Sequence, residues 1–275
     1  MFRAATVSLA AIAVSLAIAS PGHSAVTFGD GLGVPNAAIV PYSCGRHCTL
    51  ATTTSPEHLP QFRAPIAGTI LRWRIEAGSD STTQKLSLRV LAPKDNGRFA
   101  GAGTSASTPL PAGAGTFSFA TRLPVRAGDF IGVNSQGGAL DAMAVEEESI
   151  SVFAPPPIDF GAAVLGVHQN FALLVNADIA KPPTSSALPG CRTSGDLLVR
   201  VTVDSDPSVA PSALHVRIDG GTWKVVRLHG RSGTARIALR SGRHTLSYWG
   251  QDSLGQRESH HHRIRATVAG HRVCV

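Results

Sequence analysis

The sequence is poor in the residues and motifs that most enzymes need. It contains no G-x-S-x-G, H-E-x-x-H or P-loop pattern. Acidic residues number only 18 in 275, and no two of them stand out as the acid and base of a glycosidase. Aromatic residues make up 5% of the chain, which weakens the case for a sugar-binding platform without removing it. These absences favour a non-catalytic protein without a cofactor.

Long apolar runs are also missing, except at the start of the chain. Arg3 is followed by a mostly apolar run from Ala4 to Ala19, and Ser-Pro-Gly comes next. The run is shorter than the ~20 residues of a membrane-spanning helix. Residues 1–25 are therefore predicted to be a signal peptide, cleaved after Ala19 or Ala25. We expect a secreted, extracellular or cell-envelope protein with no transmembrane segment in the mature chain.

Cysteine is scarce, and its spacing bears on both disulfides and metals. The four cysteines are Cys44, Cys48, Cys191 and Cys274. An even number in an exported protein indicates two disulfides, for which three pairings exist. Cys44–Cys48 with Cys191–Cys274 is favoured because each pair then lies within one domain. The alternative, a zinc site, would need all four to converge, and they lack the usual C-x2-C pairs.

Helical periodicity is weak, whereas valine, threonine and isoleucine occur in short alternating runs. This pattern predicts an all-β fold. The mature length of about 250 residues suits two domains. The stretch 180–190, AKPPTSSALPG, is predicted to be a linker because it is rich in proline and serine. It would separate domains at 26–179 and 191–275.

The N-terminal domain offers about eight strands, which suits a jelly-roll-like β-sandwich. In LRWRI, Leu71, Trp73 and Ile75 alternate with arginines, so we expect these three to be buried. Trp73 is interpreted as a core residue rather than a ligand platform. Asp129, in an Ala-Gly-Asp turn, is expected to accept hydrogen bonds from turn amides.

Positive charge is concentrated in the second domain. Basic residues number 11 against 12 acidic over 26–189, and 13 against 6 over 190–275. The net charges are therefore −1 and +7, and Arg3 restores the total of +7. A basic domain predicts an anionic partner, such as a cell-envelope polymer or an acidic polysaccharide. The alternative is the arginine-rich composition typical of high-GC bacteria.

The second domain is predicted to form six strands in an up-and-down order. The segment ALHVRIDGG ends in a predicted hairpin turn at 219–221, because Asp-Gly and Gly-Gly tolerate positive φ. A second hairpin is predicted about Ser241 and Gly242. An even number of strands would bring both ends to one pole, where Cys191 could meet Cys274.

Two segments carry resemblances to known families. SGRHTLSYWGQDSLG is similar to the penultimate strand and turn of bacterial extracellular Ig-like modules, with Tyr248, Trp249, Asp252 and Gly255 matching and Gln256 in place of the usual asparagine. IDGGTW resembles their hairpin. The resemblance implies an Ig-like β-sandwich over 191–275 that serves as a spacer or adhesion module without catalytic residues.

The N-terminal segments resemble a different group. FRAPIAGT and PVRAGDFIG are similar to motifs of uncharacterised secreted β-sandwich domains of high-GC bacteria. These motifs are a strand entry and a hairpin turn, and they imply architecture but no activity.

Candidate ligand-binding residues lie on the basic strands. Arg217, Arg263, Arg265 and His261 are predicted to point outward and are the candidate anion-binding residues. Two further histidines, His260 and His262, would share a face and could chelate zinc or copper. Since that face continues into apolar residues, the same pair could instead sit at the rim of the sandwich.

Three functions remain open from the sequence. The first is a secreted, non-catalytic binding or adhesion protein whose basic module is attracted to an anionic polymer. The second is an extracellular polysaccharide hydrolase or lyase using the N-terminal sandwich, and the third is a structural spacer. Nucleic acid is not an expected partner, and we expect a monomer.

Overall fold

The alternating segments of the sequence form β-strands, as predicted. The computed structural model describes residues 25–33, 39–43, 47–54, 62–79, 84–136, 140–145, 149–187, 191–193, 198–206, 208–229, 233–270 and 272–275. These residues contain no α-helix, so the all-β prediction is confirmed. The predicted signal peptide lies outside them except for Ala25. Over the same residues, no helix is long and apolar enough to cross a membrane.

The described residues before Lys181 form fifteen strands and one short 3-10 turn, Asp95–Gly97. The strands are β1 (Val26–Gly29), β2 (Ile39–Tyr42), β3 (Cys48–Thr52), β4 (Gly68–Ala77), β5 (Gln84–Pro93), β6 (Arg98–Thr104), β7 (Thr108–Leu110), β8 (Gly115–Val125), β9 (Phe130–Ser135), β10 (Leu140–Ala144), β11 (Ile150–Phe153), β12 (Val164–Leu165), β13 (Val167–Gln169), β14 (Phe171–Leu173) and β15 (Val175–Ala180).

Two antiparallel sheets enclose the main N-terminal core. One has the order β1-β15-β4-β8; the other has the order β12-β6-β5-β9-β3-β11-β13, with β7 also paired to β5. A three-stranded sheet, β14-β10-β2, completes this part. Trp73 is 1% exposed and packs in this core with Leu88 and Val175, which confirms its predicted role. Because apolar residues of both sheets meet there, this part is a β-sandwich.

A β-bulge corrects the predicted alternation of β4. The register skips Leu71: Ile70 faces Leu123 and Ile179, whereas Arg72 faces Ala120 and Asp178. Ile70 is fully buried and Leu71 is only half-buried. An extra residue in one strand shifts side chains to the opposite face. The prediction that Leu71 takes the inward position is therefore wrong, while Trp73 and Ile75 point inward as expected.

Asp178 joins the two central strands of the four-stranded sheet. Its carboxylate lies 2.6 Å from Nη2 of both Arg72 and Arg74 and accepts a hydrogen bond from Oγ1 of Thr27 at 2.8 Å. Burial acts to raise the pKa of Asp178, but the hydrogen bonds from Arg74, Thr27 and Arg72 outweigh it. The pKa therefore lies below its ordinary value of 3.8.

Replacing Asp178 by asparagine should destabilise the protein in a pH-dependent way. We expect a loss of about 2 kcal/mol in unfolding free energy at pH 7, because hydrogen bonds to a charged group are lost. The pKa of Asp178 is lower in the folded than in the unfolded protein. The extra unfolding free energy of the wild type is therefore fully present above the pKa of the unfolded state, and it is lost as pH falls through the pKa of the folded state. Urea unfolding of both proteins between pH 7 and pH 2 measures this difference. A difference that does not change with pH would contradict the ionic role.

The second group of sheets begins inside the predicted linker. The described residues from Thr184 onward form nine strands: β16 (Thr184–Ala187), β17 (Cys191–Thr193), β18 (Leu198–Asp204), β19 (Pro211–Ile218), β20 (Lys224–Arg227), β21 (Thr234–Ala238), β22 (Gly242–Asp252), β23 (His262–Ala269) and β24 (Arg272–Cys274). Strand β16 pairs with β18. The predicted linker over 180–190 is therefore partly wrong, because 184–187 belong to the sheet. Lys181–Pro183 form the unpaired connection between β15 and β16.

The path of the second sandwich differs from the predicted up-and-down order. Its sheets have the orders β16-β18-β21 and β17-β24-β23-β22-β19-β20. The turn after β19 is confirmed, with positive φ at Asp219 (52°) and Gly220 (73°). The hairpin about Ser241 and Gly242 is wrong: β21 pairs with β18, whereas β22 pairs with β19 and β23. The chain crosses from one sheet to the other at this point.

A separate apolar core lies between these two sheets. It includes Val201, Ile237, Leu246 and Val268, and among the residues whose burial is described its buried members all lie at 199 or later. The cores of the two sandwiches thus come from separate parts of the chain. With alternate residues of each strand filling this core, the remaining residues point outward from the six-stranded sheet.

Candidate functional site

The outer surface of the six-stranded sheet brings together side chains from distant parts of the sequence. Strands β20, β19, β22 and β23 lie side by side in that order. Their inward residues, such as Leu214, Leu246 and Ala266, belong to the core. The register then aligns the outward residues in two adjacent rows that run across the strands.

The first row is built around Trp249. His215 lies opposite Val225 on one side and Trp249 on the other. The His215 and Trp249 rings stack with their centroids 3.6 Å apart and their planes 6° apart. The His261 ring lies 5.9 Å from Trp249, and the Arg257 guanidinium lies 5.3 Å from the indole centroid. Trp249 is only 8% exposed although it points away from the core, because these neighbours cover it.

The second row combines an exposed indole with two arginines. Arg217 lies opposite Ser247, and Ser247 lies opposite Arg263. The Arg217 guanidinium lies 4.9 Å from the ring centroid of Trp223, a cation–π distance. Trp223 itself is 37% exposed. The ring of His261 contacts Trp223 edge-on at 5.4 Å and so connects the two rows.

We call this surface the aromatic–arginine face. It consists of His215, Arg217, Trp223, Ser247, Trp249, His261 and Arg263.

The outward charges of the strands that form this face are of one sign. The outward positions of β19, β20, β22, β23 and β24, all of them described, carry no carboxylate and include six arginines: Arg217, Arg227, Arg243, Arg263, Arg265 and Arg272. At the β19–β20 turn, Asp219 is paired with His244 at 2.7 Å. The hydrogen bond from the backbone amide of Thr245, and then the one with His244, lowers the pKa of Asp219, while the hydrogen bond with Asp219 raises the pKa of His244.

One polar atom of the face lacks a partner. Nε of Arg217 is shielded from solvent and has no hydrogen-bond partner among the described residues. A buried donor without an acceptor costs free energy. Because this atom is shielded from solvent, it is not itself a contact point for a ligand that approaches the face.

The structure brings all four predicted anion-binding residues to this one surface. Arg217, His261 and Arg263 are members of the aromatic–arginine face, and Arg265 is an exposed residue of the same strand as Arg263, opposite Thr245. Their placement outward is as predicted. Anion binding by them stays a prediction.

The two histidines considered for a metal do not converge. Nε2 of His262 lies 2.6 Å from Oε1 of Glu258, and its ring stacks on Tyr248 at 5.2 Å. His260 is exposed, and its Nδ1 lies 2.9 Å from Oγ of Ser259. Within the described ranges, no three His, Cys, Asp or Glu side chains form a group that could hold a metal ion.

Three of the four cysteines, Cys48, Cys191 and Cys274, lie in the described strands. Cys48 and Cys274 are each disulfide-bonded. The backbone of Cys191 lies directly opposite that of Cys274 in the β17–β24 pair. Cys44 lies outside the described residues. The pairing of the four cysteines therefore stays a prediction.

A groove of about 610 Å³ in the N-terminal sandwich contains two carboxylates, Asp129 and Asp159. Asp159 accepts hydrogen bonds from Nη2 of Arg89 at 2.8 Å and from Oγ1 of Thr104 at 2.7 Å. Asp129 accepts from the amide of Arg126 at 2.8 Å, which confirms its predicted role in the turn. Burial raises the pKa of Asp129. Each carboxylate thus has a structural partner in the protein.

Sequence reasoning missed the central members of the site. Trp223, Trp249 and His215 were not predicted to meet, because the low aromatic content gave no reason to expect a ring cluster. The available signal was the alternation in SYWG, which places Tyr248 and Trp249 on opposite faces. Only the register shows that the outward Trp249 lies beside His215.

Comparisons with known proteins do not identify the chain. No protein-family model and no curated protein matches it. Similar solved structures include a b-glucuronidase from Ruminococcus gnavus in complex with D-glucaro-d-lactam, at 9% identity and a TM-score of 0.20, covering 88% of this chain and 47% of that one. Another is the Endo-D glycoside hydrolase domain from Streptococcus pneumoniae R6, at 12% identity and a TM-score of 0.20, covering 74% and 32%.

The chain thus spans less than half the length of these two structures. At such TM-scores, the similarity supports no conclusion about family or activity.

Proposed function

We propose that this chain is a secreted, non-catalytic binding protein that acts at the cell envelope or in the extracellular matrix. Its C-terminal β-sandwich, which we propose is an Ig-like module, would hold an anionic polymer. The observation that carries this proposal is the aromatic–arginine face, where outward arginines cluster and the outward positions of the same described strands hold no carboxylate. Such a surface attracts polyanions over a distance set by the ionic strength.

The non-catalytic part of the proposal draws support from the N-terminal groove. A glycosidase needs one carboxylic acid to protonate the leaving group and one carboxylate to act as nucleophile or base. Both oxygens of Asp159 already accept hydrogen bonds from Arg89 and Thr104. The carboxylate of Asp129 accepts a hydrogen bond from the amide of Arg126 in its own turn. These hydrogen bonds support a structural rather than a catalytic role for the two acids.

We further propose that Cys191 pairs with Cys274 and Cys44 with Cys48. The opposed backbones of Cys191 and Cys274 support the first pair, since bonded cysteines need closely spaced Cα atoms. This bond would join β17, near the start of the module, to β24 at its end. An exported protein is the setting in which such bonds persist.

Binding should depend on the arginines of the proposed surface and on salt. Replacing Arg263 and Arg265 by alanine should weaken binding to purified anionic wall polymer about tenfold at low salt, since each exposed charge contributes up to about 1 kcal/mol. The wild-type interaction should itself weaken at high salt. Pull-down at two salt concentrations measures both effects.

The matched control removes the same charge elsewhere. Arg122 lies on β8 of the first sandwich and Arg236 on β21 of the opposite sheet, and both are exposed. Their double alanine variant should retain binding within about twofold, because it leaves the aromatic–arginine face intact. Equal losses in the two double variants, or retention that salt does not affect, would contradict a localised anionic site.

A further inference from the structure

The ligand chemistry of the aromatic–arginine face can be narrowed further, on the premise that the proposed function is correct. Charge alone does not separate phosphate polymers, nucleic acids and acidic polysaccharides. The face adds aromatic rings to its charge, and the rings differ in exposure. Trp223 is 37% exposed, whereas Trp249 is 8% exposed and covered by His215. One indole is therefore available to a ligand.

The exposed indole fits a sugar ring. One side of a pyranose consists of C–H groups, and such an apolar surface packs on the face of an aromatic side chain. Trp223 lies beside Arg217, with 4.9 Å between the guanidinium and the ring centroid. The guanidinium lies over one face of the ring, so a ligand stacks on the opposite face and has the cation directly behind the indole. This combination suits a sugar that carries an acidic substituent.

The spacing of Arg217 and Arg263 suits a polymer that carries carboxylates at regular intervals along its chain. Arg217 and Arg263 occupy one row with Ser247 between them. Neighbouring strands lie about 4.8 Å apart, and one strand separates the strands of Arg217 and Arg263. The backbones of these two arginines are therefore about 9.6 Å apart. A linear glycan laid along this row could bring carboxylates of separate sugar units to the two arginines, whose planar forks match carboxylate geometry.

The alternatives use this surface less well. Single-stranded nucleic acid is bound by stacking successive bases on several aromatic rings, and the face leaves one tryptophan ring accessible. A phosphate polymer without rings would contact the arginines and leave Trp223 unused. We propose that the aromatic–arginine face binds a linear polysaccharide of uronic acids, with one sugar stacked on Trp223 and carboxylates held by Arg217 and Arg263.

The test compares an acidic glycan with anions of other chemistry. Oligogalacturonate, long-chain polyphosphate and single-stranded DNA are titrated into the mature protein by calorimetry. Wild type should bind oligogalacturonate most tightly. Trp223→Ala should weaken oligogalacturonate binding about tenfold, a loss typical of removing one stacking ring, and should change polyphosphate binding less than twofold. Equal losses for both anions, or tighter binding of polyphosphate or DNA, would overturn the proposal.

Fluorescence locates the contact independently of affinity. The chain has three tryptophans, and Trp73 and Trp249 are both buried. Acrylamide quenching should therefore report mainly on Trp223, and saturating oligogalacturonate should reduce it in wild type. The reduction should vanish in Trp223→Phe, which keeps an aromatic ring and serves as the folding control. Unchanged quenching in wild type at saturation would exclude stacking on this indole.

The two proposals fail in different ways. If Arg263→Ala with Arg265→Ala leaves polyanion retention unchanged, the anionic site itself is refuted. If those arginines matter but Trp223→Ala does not discriminate between the anions, the site stands and only the uronate assignment is refuted.

Discussion

Replacing both Cys191 and Cys274 by serine should lower the unfolding free energy of the C-terminal sandwich by about 4 kcal/mol. The proposed bond closes a loop of about 80 residues, and on the chain-entropy model such a cross-link removes much of the freedom of the unfolded module. The folded module should be unchanged, because β17 and β24 remain paired through their backbones. Differential scanning calorimetry of the wild type and the double variant measures the effect.

The same experiment separates the alternative pairings. Each sandwich has its own core, so a bond within the second sandwich should shift the transition of that sandwich alone. Pairs that join Cys191 or Cys274 to Cys44 or Cys48 would link the two sandwiches, and their removal would destabilise both. Peptide mapping of the non-reduced protein should recover Cys191 and Cys274 in one fragment pair. Recovery of either cysteine with Cys44 or Cys48 would contradict the proposed pairing.

Replacing Glu258 by alanine should cost the second sandwich about 3 kcal/mol. The buried carboxylate accepts hydrogen bonds from the amides of Ser185 at 2.8 Å and Gly250 at 2.9 Å, and from the hydroxyl of Ser185. Its Oε1 also lies 2.6 Å from Nε2 of His262. Alanine would leave two amides without an acceptor, and each such buried group costs about 1 to 3 kcal/mol. Urea unfolding of the variant measures the total.

Hydrogen exchange identifies where the Glu258 variant is weakened. The amides of Ser185 and Gly250 should exchange faster in Glu258→Ala, because both lose their acceptor. Glu258→Gln keeps an amide oxygen as an acceptor and should lose less stability, which makes it the matched control. Slow exchange at both amides in the alanine variant would contradict this role. Because Ser185 lies on β16, two residues after Pro183, the carboxylate anchors the start of the module to its main sheet.

Glu258 also shows the limit of reasoning from local sequence. It is one of only six acids in residues 190–275, and nothing around it in the sequence marks it as buried. Its partners come from positions 73 residues earlier and 8 residues earlier in the chain. A carboxylate of this kind becomes visible only when the strands that supply its donors are placed side by side.

The sequence by itself determined the local features of this protein. Alternation of apolar and polar residues predicts strands because neighbouring side chains in a strand point to opposite faces. The positive φ that Asp-Gly tolerates predicts the turn at Asp219, and the position of Trp73 in an alternating run predicts its burial. The concentration of positive charge after 190 is likewise a property of the sequence.

Only the tertiary structure decided strand order, register and the composition of the candidate site. Ser-Gly at 241–242 can form a hairpin turn, yet the flanking strands belong to different sheets, since β21 pairs with β18 and β22 pairs with β19 and β23. Because Leu71 is an extra residue at the β-bulge of β4, Ile70 rather than Leu71 points into the core. Trp223, Trp249 and His215 meet only across paired strands, and that pairing is fixed by burial of the opposite faces of those strands rather than by any local motif.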